Sequence, residues 1–374
     1  MQTFKRTATD AISIWWWTVD KITLLTILFL MLVGIFMTSS ASLFMAERMN
    51  TGSIYFVTRH VTFLSAAFAV AIGLSFANQT IVRRLAIIGF LLSTILLILT
   101  PFFGVEVKGA KRWLRILGFS LQPSEFIKPF LAITNAWILS INASGSIALL
   151  TSAAICLPSI ALIIIQPDIG MSVIIISIWV TQIFILGIRT KLMIACFAFL
   201  LVCGLLIYVS FDHARQRIKS FISPISTANY QIKKSLESFQ HGGMFGVGPA
   251  EGKIKIHLPD AHTDFIFAVI AEELGSIFCI VIITMFFILI YRFYQNIKSK
   301  NDLFVILAAG GLIEQFALHV FINIGANIRI LPAKGMTLPF MSYGGSSALS
   351  TGLTLGMLLA LGRKKFNIKD LKIL

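Results

Sequence analysis

The sequence predicts an all-α, polytopic integral membrane protein with about ten transmembrane helices and one long extracytoplasmic loop. Three observations predict it. Of 374 residues, 57% are hydrophobic and 13% charged, the latter roughly half the share in soluble domains. The apolar residues gather into windows close to the roughly 20 residues that cross a bilayer. The basic residues, 31 against 16 acidic ones for a formal +15, collect at the window ends.

The windows run approximately 22–43, 57–77, 85–103, 126–141, 147–165, 169–188, 192–211, 265–290, 303–324 and 343–361. The polar segment Met1–Lys21 precedes them and carries the Trp15–Trp17 triplet, which suits an interfacial anchor. The first window is too long for a signal-peptide core and reads as an uncleaved span. No charge interrupts Pro129–Pro167, so the fourth and fifth windows are divided at the Asn, Ser and Gly cluster of Ser140–Ser146; nine spans remain an alternative. With ten spans both termini share a side. That side holds Lys5, Arg6, Lys21, Arg83, Arg84, Arg189, Lys191, Arg292, Lys298, Lys300 and the basic tail from Arg363 to Lys372. The positive-inside rule makes it cytoplasmic. The other basic residues lie opposite, in Phe102–Lys128, in Asp212–Thr263 and near helix ends. Such a basic outer face calls for an anionic partner. The chain reads as one membrane domain over 1–374, with an N-terminal tail at 1–21, a long loop at 212–264 and a C-terminal tail at 362–374. In the long loop Ile232, Leu236 and Phe239 recur at helical spacing. They fit an amphipathic helix on the membrane surface or a helix that caps the loop.

Several chemistries are excluded. There is no GxxxxGK[ST] loop, no HExxH and no Asp-x-Asp pair. Cys156, Cys196, Cys203 and Cys279 sit in apolar runs without metal or redox spacing, as packing residues do. Gly246, Gly248 and Gly252 read as turn glycines.

Four clusters can carry chemistry. Lys108–Arg115 and Gln122–Lys128 place Lys111, Arg112, Trp113, Gln122, Glu125 and Lys128 at an outer membrane boundary. There, cations can clamp phosphate oxygens and Trp113 can pack on a sugar or acyl chain, although a patch for anionic lipid heads and a Glu125/Lys128 helix-end pair explain the same residues. Asp168 stands between two apolar windows, where helix capping competes with a sugar or cation role. Asp264 marks the entry of the basic loop into an apolar helix, with Glu272 and Glu273 two to three turns further on. Intramembrane acids are costly and point to function. Finally Ser342, Gly344, Gly345 and Ser346 open the last window behind Lys334, a pattern suited to an anion at a helix N-terminus, while Gly352 and Gly356 suit close helix packing.

The motifs KGAKRWL, LQPSE, QPDIG, LPDAHTDFIFAVIAEELG and LPAKGMTLPFMSYGGSS resemble those of the SEDS family of bacterial cell-wall polymerases, in the family's order. Lys334-Gly335 before Leu338-Pro339 resembles the division (FtsW-like) branch rather than the elongation (RodA-like) one. The resemblance implies a peptidoglycan glycosyltransferase that polymerises lipid II, an undecaprenyl-diphosphate-linked disaccharide pentapeptide, at the periplasmic face of the inner membrane. It implies Asp264 as the essential aspartate, taking the proton of the acceptor 4-hydroxyl, and Lys111, Arg112, Lys128 and Lys334 around the leaving diphosphate. It matches Trp113, Gln122, Glu125, Asp168 and the Ser342–Ser346 turn to substrate-binding motif positions. A class B penicillin-binding transpeptidase and other division proteins are the implied partners, and no nucleic acid is. The donor carries its own leaving group, so no nucleotide is required, and a divalent cation, Mg2+ or Mn2+, at the diphosphate stays open. One departure stands out: Pro249-Ala-Glu-Gly252 follows Gly246-Val-Gly248 where many relatives have Gly-x-Ser. A lipid II flippase using Glu272, Glu273 and Glu314 is the alternative from another class, as is a noncatalytic scaffold.

Overall fold

The computed structural model describes residues 11–48, 52, 54–107, 109–116, 118–141, 145–187, 209, 227–332 and 335–363. The seventh expected span, 192–211, lies outside the described residues apart from Val209, and Lys334 lies outside them too. Eight described helices are long and apolar enough to cross a membrane. In chain order the helices are α1 (Ala11–Thr18), α2 (Lys21–Arg48), α3 (Tyr55–Ser75), α4 (Gln79–Phe103), α5 (Pro123–Ile141), α6 (Gly145–Ile165), α7 (Ile169–Leu186), α8 (Thr227–Gly242), α9 (Ile266–Lys298), α10 (Leu303–Asn327) and α11 (Gly345–Gly362). Between α4 and α5 runs an antiparallel meander, β1 (Val105–Val107), β2 (Ala110–Ile116) and β3 (Phe119–Leu121). The expectation of a purely helical chain missed this small sheet.

Burial separates centre from periphery. In α10 and α11, 61% and 72% of the span is buried, against 22% and 28% in α3 and α4. The outward faces of α3 and α4 carry residues such as Val61, Ile88, Leu92 and Ile95, which in a membrane meet lipid. α11 lies along α3 because Gly352 and Gly356 let the backbones touch: a Cβ on Gly352 would stand 2.4 Å from Ala67 O, and one on Gly356 2.8 Å from the Leu74 side chain. α5 is too polar to count among the eight apolar spans, and it turns that polarity inward, burying Glu125, Lys128 and Asn135.

Two expected features are revised. The Trp triplet does not act as an anchor in all its members: α1 docks under α3, where the buried Trp15 donates to Ser75 Oγ at 2.7 Å and stacks on Phe76. Lys21 covers Trp16 and Trp17 instead. The window 265–290 is not one uninterrupted span either. α9 breaks at Gly275, whose φ of 81° and ψ of 170° are non-helical. The loop replaces the hydrogen bonds that the break removes: Val247 and Gly248 N–H donate to Glu272 O and Glu273 O, and Ser276 and Ile277 N–H donate to Gly243 O and Met244 O. Glycine is required there because a Cβ would lie 2.3 Å from Met244 O.

α8 confirms the helical spacing of the long loop and decides its setting. It packs on α9, with Ile232 buried and Phe239 5.9 Å from the Phe267 ring, so it caps the loop onto the bundle. Cys156 and Cys279 are buried free thiols.

Candidate active site

The chain direction brings the meander, the α6–α7 turn, the start of α9, the end of α10 and the start of α11 to one end of the bundle. Asp264 sits there, immediately before α9. Its main chain is gripped by two asparagines one turn apart on α10: Asn323 and Asn327 Nδ2 donate to Asp264 O at 2.9 and 3.1 Å. Asn327 Oδ1 also accepts the Ala268 N–H at 3.1 Å, supplying a partner to the first turn of α9. Asn323 Nδ2 reaches Met336 O as well, at 2.6 Å, and so ties the segment before α11 to the same point. Both amides are buried, at 1% and 0% exposure. The Asp264 carboxylate faces Gly335, where a Cβ would lie 3.4 Å from Oδ2.

The sequence-predicted residues fall into three sets. Gln122, Asp168 and Ser346 come together. Gln122 Nε2 donates to Asp168 Oδ2 at 3.3 Å, and its backbone N–H donates to Ser346 Oγ at 3.0 Å. Asp168 also caps α7, accepting the Met171 N–H at 3.4 Å, so capping and clustering coexist in one carboxylate. Next to them is the buried pair Glu125/Lys128, 2.9 Å apart, with His319 Nε2 2.6 Å from Lys128 Nζ. Ser350 Oγ on α11 donates to Glu125 O, locking α5 to the last helix.

The meander holds the second set. Lys111 is exposed and pairs across the strands with Glu106, while the half-buried Trp113 pairs with Val105. Arg112 departs from the expected phosphate clamp. Its Nε donates to Gln166 O at 3.0 Å and an Nη to Pro167 O, so most of its fork fastens the meander to the α6–α7 turn.

The third set is the turn into α11. Ser342 Oγ accepts the Leu338 N–H at 2.7 Å and stabilises the turn. Gly344 is the N-cap of α11, and Gly345 lies so close to α3 that a Cβ would touch the Phe63 ring at 2.8 Å. Ser346 faces the meander, its Oγ donating to Ser120 O at 3.3 Å.

Glu272 and Glu273 are spent on structure. Glu272 accepts the N–H groups of Lys253, Ile254 and Lys255 at 2.7–3.0 Å and contacts His241 Nδ1 at 2.9 Å. Glu273 accepts from Ser40 Oγ, the Ala250 N–H and the Lys255 ammonium. Among the described residues no three His, Cys, Asp or Glu side chains are grouped to hold a metal ion.

Asn323, Asn327 and His319 were not singled out from the sequence. A signal exists: amides at i and i+4 in an otherwise apolar span must find partners there.

The model of the FtsW/RodA/SpoVE family, described as cell cycle protein, matches residues 20–367. A curated relative from Caulobacter vibrioides, named probable peptidoglycan glycosyltransferase FtsW, is 37% identical over 97% of this chain and 94% of its own length. Among solved structures, a chain from a peptidoglycan synthase complex superposes with a TM-score of 0.77 at 22% identity, covering 92% of this chain and 97% of that one. The rod shape determining protein RodA of Thermus thermophilus superposes with 0.69 at 22% identity, covering 93% and 97%. These two carry the fold; the family match and the relative carry the assignment, and this chain belongs to the FtsW/RodA/SpoVE family of cell cycle proteins.

Proposed function

We propose that the chain is a peptidoglycan glycosyltransferase that polymerises lipid II during septal cell-wall synthesis, working at the periplasmic face of the bacterial inner membrane with both termini in the cytoplasm. The relatives named FtsW favour the division role over elongation. The observation that carries the reading is the grip on Asp264: two buried amides fix its main chain at the end of the bundle where the basic meander also lies.

Asp264 takes the proton from the acceptor 4-hydroxyl as that oxygen bonds to the donor anomeric carbon. The bond from that carbon to the diphosphate oxygen breaks, and the lipid diphosphate leaves with the electron pair. Attack opposite the leaving group inverts the centre. Lys111 offsets charge on the departing diphosphate, joined by the part of Arg112 not spent on carbonyls and by Lys334, whereas the expected role of Lys128 there gives way to its buried pairing with Glu125. Gln122, Asp168 and Ser346 line the donor side, with Trp113 and the turn Ser342, Gly344, Gly345 at its edges. A divalent cation fits these residues poorly as a dedicated cage, because Glu125 is paired with Lys128 and Asp168 caps α7; no step is routed through one.

A class B penicillin-binding transpeptidase is the natural partner, since new strands need crosslinking. The flippase reading loses support, because Glu272 and Glu273, two of its three acids, bind the loop.

The test uses purified protein and labelled lipid II, with and without the transpeptidase, comparing wild type with Asp264→Asn. Glycan synthesis should fall roughly 10²- to 10⁴-fold, the range of a lost general base. A folded variant that polymerises at the wild-type rate removes Asp264 from the chemistry.

A further inference from the structure

Under the polymerase reading, on which a second anion seat depends, the reaction joins two lipid-linked molecules. Each carries a diphosphate, and only the donor's leaves. Among the described residues, the cations assigned to the leaving group, Lys111 and Arg112, lie on the meander, and the second diphosphate needs its own seat.

The first turn of α11 divides the site. Ser346 and Ser350 face the meander and α5 through Ser120, Gln122 and Glu125. Tyr343 leans the other way, onto α3, with ring centroids 5.4 Å from Phe56 and 6.1 Å from His60. It remains tied to the Asp264 segment, since its N–H donates to His262 O at 2.8 Å.

On the α3 side of this divide stands Arg59, in the first turns of α3 at the same end of the bundle. The Tyr55 phenol fixes it: one Nη donates to Tyr55 Oη at 2.8 Å and the guanidinium lies 5.2 Å from the Tyr55 ring centroid. It is half-buried, and among the described residues no carboxylate pairs with it. A guanidinium oriented by a neutral group and left with its charge uncompensated is built to receive an anion, with forked donors that match phosphate oxygens. Its level, where α3 begins, is that of a lipid-linked diphosphate at the membrane boundary, whereas the peptide stem projects into water.

We propose that Arg59, oriented by Tyr55, seats the diphosphate of the acceptor lipid, opposite the donor seat across the α11 turn. Asp264 then sits between a diphosphate that leaves and one that stays.

The probe is undecaprenyl diphosphate, which cannot react, added to the full chain in zwitterionic nanodiscs and counted by native mass spectrometry. Wild type should bind two molecules and Arg59→Gln one. Arg59→Lys keeps the charge but loses the fork, and the second molecule should bind about tenfold more weakly, the factor expected for a charged hydrogen bond. Tyr55→Phe guards against misfolding of the arginine variants and should weaken the second molecule roughly threefold, as for one neutral hydrogen bond. Two molecules bound with wild-type affinity in folded Arg59→Gln, or an unaltered second affinity in Tyr55→Phe, overturns the seat. So does equal competition by phosphatidylglycerol, which would assign Arg59 to bulk lipid heads, or by a soluble stem pentapeptide. Because the count needs no turnover, it stands apart from the Asp264→Asn result: the base can fail while the seat holds, and the reverse.

Discussion

Asp264 lies only a short way from Glu272 and Glu273, yet the three acids are held in opposite ways. Asp264 is gripped through its backbone carbonyl by Asn323 and Asn327. Glu272 and Glu273 are gripped through their carboxylates, by three backbone N–H groups and His241 in one case and by Ser40, Ala250 and Lys255 in the other. An acid anchored by its main chain has its side chain positioned without that anchor consuming its lone pairs. An acid anchored by its carboxylate is a strut, and here the strut fastens the loop onto the break at Gly275. The contrast sorts three acids that hydropathy treats alike.

Exchanging the perturbations tests it most severely. Asp264→Asn should abolish most glycan synthesis while the unfolding temperature in detergent stays near wild type. Glu273→Ala should do the reverse at first: it leaves Lys255, only 9% exposed, without its partner. Breaking a buried pair from one side costs about 3–5 kcal/mol, read as a lower unfolding temperature and as proteolysis within 243–257. Polymerisation by whatever fraction remains folded should keep its dependence on lipid II concentration. If Glu273→Ala loses activity with no loss of stability, the division between base and strut fails.

A smaller effect tests the grip itself. Asn327→Leu removes the bond to Asp264 O and the acceptor for the Ala268 N–H. At about 1 kcal/mol per bond, the two lost bonds should lower turnover roughly thirtyfold with little change in half-saturating lipid II. Asn327→Gln, which keeps the amide on a longer stem, should recover part of it. Equal damage to turnover and to half-saturation, without rescue, would reduce Asn327 to a packing residue.

How much of the molecule the sequence disclosed depends on what hydropathy and spacing can carry. Nine of the ten expected spans have a helix at their place because apolar length is a local property. Asp264 was visible because an acid at the entry to an apolar run is locally anomalous. The break at Gly275 was hidden, since a positive φ leaves no mark inside a continuous apolar run. The meander was hidden because two of its strands have three residues each, too short for alternation to register. Arg112 suggests a clamp because its forked donors suit phosphate; that they reach carbonyls at Gln166 and Pro167 depends on α6 returning to that spot. The asparagines escape notice because their partners are 59 and 63 residues away in the chain.

The opposite end of the bundle supplies the last and smallest contrast, an acid engaged wholly in structure and far from any proposed chemistry. Asp20, between α1 and α2, receives two hydrogen bonds from Arg292 at 2.8 Å each, one from Asn296 at 3.0 Å and one from Thr23 at 3.0 Å. Burial alone would raise its carboxyl; the bonds from Arg292, Asn296 and Thr23 outweigh burial and hold it at about 2 instead of 3.8. Because the folded value is depressed, the stabilisation is complete above the unfolded value near 4 and disappears as pH falls toward 2. The partner guanidinium is a third exposed, so solvent screening limits the contribution to about 1 kcal/mol or less. The unfolding temperature should therefore drop between pH 4 and pH 2 by a component that Asp20→Asn abolishes, while lipid II polymerisation at neutral pH is unchanged. An equal acid-induced drop in Asp20→Asn would place the sensitivity in another carboxylate, and a loss of polymerisation would link the α1 docking to the distant site.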